Sequence, residues 1–252
     1  MKARIAVVGA TGRVGHHVVD VLEERGHEVV AISRSTGVDV ITGDGLAEAL
    51  TGVEVVIDTA TGPSPDQDAA TAFFTTAARN LHQAGERAGV RRMVVVSIIG
   101  VDELKGGYSL AKLAHEQAML AGSIPVRVVR AAQFHEFVEQ LVQWGTQGDV
   151  SYVPKMRTQL VAARRVAEAL VDVATDSEPA GPIVEVAGPR EESMVEAASL
   201  LVARRGEAVR IEGRSDPADP DSAANEAGVL LPGPEAKLAG PTFEEWLDAM
   251  LA

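Results

Sequence analysis

Through about residue 130, short apolar runs alternate with segments whose apolar residues recur every three or four positions. The runs are "RIAVV", "EVVAIS", "VDVI", "EVVID", "RMVVVS" and "VRVVR". Each has the length of a strand, and the continuous apolar character fits strands covered by helices on both faces. In the segment from Val14 to Arg25, Val14, Val18, Val21 and Leu22 fall on one helical face, and Gly26 stands where a C-cap is expected. Further helices are expected from about Asp66 to Ala88 and from about Tyr108 to Ala121. The alternation predicts an α/β fold with a doubly wound parallel sheet.

After about Gly148 the texture changes. Strand-like pieces ("DVSYV", "PIVEV", "AVRI") mix with helical stretches near Ala163 to Thr175 and Met194 to Arg205. The polar stretch "RSDPADPDSAANEAG" reads as a loop. Thr242 and Glu245 have capping-box spacing at the start of a last helix. The expected organisation is a core over 1–148 and a small C-terminal α+β lobe over 149–252, capping a substrate pocket at the open end of the sheet.

Composition narrows the function classes. The chain has 252 residues, 46% of them hydrophobic and 4% aromatic, so the core is built from small aliphatic side chains. It has no cysteine, which excludes disulfides, thiolate metal sites and a cysteine nucleophile. A formal net charge of -13 opposes binding to nucleic acid. No apolar stretch approaches the length of a membrane span, and "MKARIAVVG" lacks the apolar core of a signal peptide. A cytoplasmic protein with a small-molecule substrate is the expectation.

The first strand-like run leads directly into "VGATGRVG", with Gly9, Gly12 and Gly15, and then into the first helix. Strand, glycine turn and helix in that order form the arrangement that binds a dinucleotide. Gly9 permits the sharp turn, Gly12 a close approach of the pyrophosphate, and Gly15 close helix–strand packing. The N–H groups near Thr11, Gly12, Arg13 and Val14 would face the phosphates at the positive end of the helix dipole. The second run ends in Ser33, Arg34 and Ser35 without an acidic side chain, while Glu28 lies at its other end. A guanidinium flanked by hydroxyls suits a 2′-phosphate, so NADP is favoured over NAD.

Tyr108 and Lys112 stand four apart on a predicted helix, one turn apart on one face. A nearby ammonium favours a phenolate and makes tyrosine a workable acid or base. Lys112 is also in place to bond the ribose of the nicotinamide half. Ser97 ends the preceding strand at its C-terminal edge, where ligands sit in such sheets.

Together, these motifs resemble the short-chain dehydrogenase/reductase superfamily, and more narrowly its atypical, NmrA-like branch. The matching pieces are "VVGATGRVG", "ISR", "VVVSIIGVD", "YSLAKLAHEQAML", "VRVVRAAQFHEFV", "VEVAGP" and "LLPGPEAKLAGPTFEEWL". The resemblance implies a Rossmann fold with NADP lying along Gly9 to Val14 and Arg34 at the 2′-phosphate. Thr59, Ala60 and Thr61 would lie near the adenosine ribose and pyrophosphate, and Ala131, Gln133 and Phe134 would border the nicotinamide. It makes Tyr108 the general acid/base, Lys112 its partner and Ser97 the polarising hydroxyl. The fourth strand-like run ends "DTATG", without the Asn-Asn-Ala-Gly common in the superfamily, and Ser97 stands 11 positions before Tyr108.

Among the six histidines no pair has the i, i+4 spacing of a helical zinc site, so no metal is expected. His135 and Glu136 read as a solvated helix start or as substrate contacts. "DPADPD" lacks the glycine and distal Glu of an EF-hand loop, and no GxSxG elbow is present. The expected function is an NADP-dependent reductase of a carbonyl, quinone or similar small electrophile. Two other readings share the cofactor: an NADP(H)-sensing regulator acting through a protein partner, and an NADP-dependent epimerase or isomerase.

Overall fold

The computed structural model describes residues 2–176 and 181–252. The apolar runs become strands β1 (Arg4–Val8), β2 (Glu28–Ile32), β3 (Val55–Asp58), β4 (Arg92–Ile98) and β5 (Val126–Ala131). The periodic segments become helices α1 (Gly15–Glu24), α2 (Leu46–Ala49), α3 (Gln67–Ala88) and α4 (Gly107–Leu120). Later come α5 (His135–Gly145), β6 (Thr146–Gln147), β7 (Val150–Pro154), β8 (Arg157–Thr158) and α6 (Ala163–Thr175). The chain closes with β9 (Ile183–Ala187), β10 (Glu192–Ser193), α7 (Met194–Arg205), β11 (Arg210–Arg214), α8 (Ser222–Ala227), β12 (Lys237–Leu238) and α9 (Phe243–Leu251).

The central sheet has seven strands in the order β12-β9-β5-β4-β3-β1-β2. β1 pairs in parallel with β2 on one side and β3 on the other, and β3 pairs in parallel with β4. This is the expected doubly wound Rossmann arrangement. The chain leaves β1 toward β2 and then returns to β3 on the opposite side. Beyond their carboxyl ends the connections diverge, and such a switch point opens a crevice for ligands.

One predicted strand is absent. "VDVI" (38–41) forms a turn, because Asp39 Oδ1 accepts from the N–H groups of Ile41 (2.7 Å) and Thr42 (3.4 Å). Asn80 of α3 then donates to the carbonyls of Val40 and Ile41, at 2.8 and 2.9 Å. These side chains satisfy backbone groups that a sheet would otherwise have paired. The stretch read as a loop after Arg214 contains the short helix α8. The strand expected at "AVRI" starts at Arg210 and runs on to Arg214, in parallel register with Val150–Pro154.

The chain divides into two compact units, interleaved in sequence. The first comprises Met1–Ser97, Gly107–Arg130 and Val166–Val184, and the second Ile98–Gly106, Ala131–Arg165 and Glu185–Ala252. The first unit's core joins Ala6, Val8, Ile32 and Val56 of the sheet to Ala77, Ala78 and Leu81 of α3. Alanines and Gly85 let α3 lie close: a Cβ at Gly85 would stand 2.8 Å from Ile124 Cδ1 and 3.0 Å from Met93 Cε. The second unit packs Val138, Leu141 and Val142 of α5 with Ala198 and Leu201 of α7 and Phe243 and Leu247 of α9. The predicted capping box holds α9: Thr242 Oγ1 accepts from Glu245 N–H at 3.3 Å, and Glu245 Oε2 accepts from Thr242 N–H at 2.9 Å.

Candidate active site

The glycine turn lies between β1 and α1, against the segment that follows β3. Gly9 has a φ of +75°, open to glycine with little strain. A Cβ there would stand 2.8 Å from Ala60 Cα, and one at Gly15 would overlap the Gly9 carbonyl oxygen. Gly12 is different, since a Cβ there would meet only the Gly9 carbonyl oxygen, at 3.1 Å. The chain's own packing therefore explains Gly9 and Gly15, whereas at Gly12 it leaves more room. Thr59 Oγ1 donates to Val8 O at 2.8 Å and pins the segment after β3 to the end of β1.

The amino end of α1 has no capping side chain and no acidic residue in its first turn. Helices α3, α7 and α9 are capped by Asp66, Ser193 and Thr242, whereas α5, like α1, has no capping side chain. An uncapped N-terminus following Thr11, Arg13 and Val14 presents N–H donors and a positive dipole end to an anion. This donor set fits a pyrophosphate.

At the end of β2, Ser33, Arg34 and Ser35 enter a 3-10 turn spanning Arg34–Thr36. Ser33 Oγ and Ser35 Oγ share a hydrogen bond of 2.8 Å. Arg34 is exposed, and among the described residues no carboxylate pairs with it. Glu28, at the opposite end of β2, is taken by Arg4 at 3.2 Å.

The helical spacing of Tyr108 and Lys112 brings both against the Phe74 ring, Lys112 buried and Tyr108 half-buried. The Tyr108 side chain lies beside Thr61, which favours the phenolate. Burial nevertheless raises its pKa above the ordinary phenol value. The sequence expectation was a phenol pKa lowered by Lys112; here the hydroxyl keeps its proton at neutral pH. Lys112 is 5% exposed and donates from Nζ to Val96 O at 2.8 Å. Nζ also lies 3.2 Å from His115 Nδ1, while His115 Nε2 lies 3.1 Å from Asp58 Oδ2. The Phe74 ring stacks on His115 at 4.5 Å, meets Tyr108 edge-on at 5.9 Å and lies 4.7 Å from Lys112 Nζ. Burial lowers the Lys112 pKa to about 8, opposed by the charges of Asp58 and Glu116.

Ser97 is buried at the end of β4, and its Oγ has no hydrogen-bond partner among the described residues. An orphaned buried hydroxyl at the carboxyl edge of a central strand calls for an external partner.

The family model described as NAD(P)H-binding matches residues 9–177 of the chain. The chain belongs to this NAD(P)H-binding family. Its fold is similar to the NADPH-dependent quinone oxidoreductase QOR2 of Escherichia coli, with 17% identity, a TM-score of 0.71 and coverage of 98% of this chain and 100% of that one. It is also similar to a short-chain dehydrogenase/reductase superfamily protein of Agrobacterium tumefaciens with bound NAD (18% identity, TM-score 0.70, 98% and 96% covered). A third similar fold is the dTDP-4-dehydrorhamnose reductase of Bacillus anthracis in complex with NADP (18% identity, TM-score 0.74, 99% and 98% covered). No curated protein matches the sequence at a significant level.

In the second unit of this NAD(P)H-binding protein, Ala131 ends β5 and Phe134 bridges to Val161. Gln133 Oε1 accepts from Thr158 Oγ1 at 2.6 Å. His135 is not at a solvated helix start. It is 1% exposed, donates from Nε2 to Leu160 O at 3.1 Å and lies against Phe243 and Trp246. Glu136 accepts from Ala163 N–H at 3.3 and 3.2 Å, at the start of α6. Two surface cavities of about 310 and 260 Å³ lie in this unit, and neither is lined by the glycine turn, Tyr108 or Lys112. Sequence reasoning did not select Asp58, His115 or Phe74. The available signals were a lone carboxylate ending the fully buried strand "VVID" and a histidine three positions after Lys112, on the same helical face.

Proposed function

We propose that this protein is an NADPH-dependent reductase acting on a carbonyl, quinone or similar small electrophile. The observation that carries this reading is the pair Tyr108 and Lys112, one turn apart on α4 and both against the Phe74 ring. Thr61, beside the Tyr108 side chain, belongs to the segment that packs, through Ala60, on the glycine turn.

In this reading the Gly9–Gly15 turn and the α1 N-terminus hold the pyrophosphate. Arg34, with Ser33 and Ser35, receives the 2′-phosphate, which favours NADP over NAD. Thr59, Ala60 and Thr61 lie near the adenosine ribose and pyrophosphate. When bound, the reduced nicotinamide supplies the hydride. Tyr108 donates the proton to the substrate oxygen. Its raised pKa suits this direction, because the donor must enter the reaction protonated. Ser97 Oγ, without a partner among the described residues, orients that oxygen. Lys112 keeps positive charge beside the phenolate left after transfer and contacts the nicotinamide-side ribose.

The test is to titrate NADPH and NADH, then screen carbonyls and quinones for NADPH consumption. Tighter NADPH binding with turnover of at least one electrophile is expected. Binding without consumption across the panel overturns the reductase reading in favour of a cofactor sensor. Turnover of substrate without net consumption of cofactor overturns it in favour of an isomerase.

A further inference from the structure

Lys112 has three N–H bonds to place and little water to place them in. One goes to Val96 O, one to His115 Nδ1, and the ammonium faces the Phe74 ring at 4.7 Å. The acceptor role of Nδ1 requires the proton on Nε2, which donates to Asp58 Oδ2. Burial and the charge of Lys112 both lower the His115 pKa, so the imidazole is neutral and transmits a hydrogen bond, not a charge.

Two carboxylates act on this ammonium, and only one is available to it. Glu116 is held by Arg130 through two bonds, Nε to Oε1 at 3.0 Å and Nη2 to Oε2 at 2.9 Å. Asp58 has no cationic partner of its own among the described residues. Its Oδ1 accepts from Ala60 N–H at 2.9 Å, which leaves Oδ2 for His115. The charged and titratable groups around Lys112 are thus Asp58 from β3, Tyr108, His115 and Glu116 from α4, and Arg130 of β5 behind Glu116.

We propose that His115 and Asp58 are positioning residues for Lys112, forming an Asp58–His115–Lys112 relay that holds the buried ammonium in place and in its charged form. This role in catalysis rests on the reductase reading; the relay itself does not. Through its bond to Ala60, Asp58 also joins the relay to the segment packed on Gly9, so one carboxylate serves both the lysine and the glycine turn.

The experiment follows the titration of Lys112 by NMR on lysine-labelled protein without cofactor or substrate. Its signal is assigned against Lys2, Lys105, Lys155 and Lys237 with a Lys112→Met variant. The wild-type Lys112 midpoint is expected near 8. Asp58→Asn keeps an acceptor for Ala60 and removes the charge; His115→Phe keeps the stack on Phe74 and removes both nitrogens. Both variants should lower the Lys112 midpoint, Asp58→Asn by about one pH unit for the lost opposite charge and His115→Phe through the lost acceptor. His115→Asn, which returns an acceptor near the Nδ1 position, should recover part of the loss. An unchanged midpoint in either folded variant overturns the proposal, and if one fails to fold the other decides. The alkaline limb of kcat should move in parallel, and a moved midpoint without any NADPH turnover would sink the reductase reading while leaving the relay standing.

Discussion

Arg130 and Glu116 face each other through two parallel hydrogen bonds of 3.0 and 2.9 Å, with side chains only 9% and 4% exposed. A buried pair of this kind is far more costly to break than to replace. Glu116→Gln or Arg130→Met alone should lower unfolding free energy by about 3–5 kcal/mol. The double replacement by methionine should recover most of that loss. Urea denaturation of the three variants checks the pattern, and additive losses would contradict it.

Arg34 should separate the two nicotinamide cofactors. Arg34→Ala removes the charged donor that the proposed function assigns to a 2′-phosphate and should weaken NADPH binding about tenfold or more, as expected for a hydrogen bond to a charged group. NADH affinity should change little. Fluorescence titration of both cofactors reads the ratio, and an equal loss for both would remove Arg34 from the 2′-phosphate site.

Tyr108→Phe keeps the edge contact with Phe74 and removes only the hydroxyl. NADPH affinity should stay close to wild type, while kcat falls by a factor of ~10² or more, as expected for a lost general acid. Steady-state kinetics on the best electrophile checks this. Unchanged turnover would transfer the acid role elsewhere.

Stability should fall on mild acidification. Burial lowers the His135 pKa from 6.5 to about 4. The unfolded chain therefore binds more protons than the folded chain between those values, and stability rises with pH across that window. His82 and His115 are also lowered by burial and add to the same slope. His135→Gln should flatten the fall between pH 6.5 and 4 in melting curves recorded at fixed ionic strength. A profile unchanged from wild type would mean that His135 does not titrate in that window.

The first half of the fold is legible because its signals are local. Strand β1, the glycine turn and α1 are adjacent in sequence, and Gly26 ends the helix with a φ of +76°. "VDVI" misled because its apolar pattern is that of a strand, whereas Asp39 and the distant Asn80 decide its backbone pairing. The spacing of Tyr108 and Lys112 is readable on one helix. The Asp58–His115 contact joins residues 57 positions apart on different elements, and no periodicity reports it. His135 shows the opposite failure: a polar residue at a helix start looks solvated until the Phe243 and Trp246 rings of α9 are packed on it.

The bare amino end of α1 makes cofactor supply part of the protein's thermodynamics. No side chain caps it, so a pyrophosphate bound as proposed would satisfy N–H groups otherwise left to water. A ligand that binds only the folded form adds about 2.7 kcal/mol of stability at a free concentration one hundred times its Kd. The melting temperature should therefore climb with added NADPH, and the cellular lifetime of the folded chain would track the size of the nicotinamide pool.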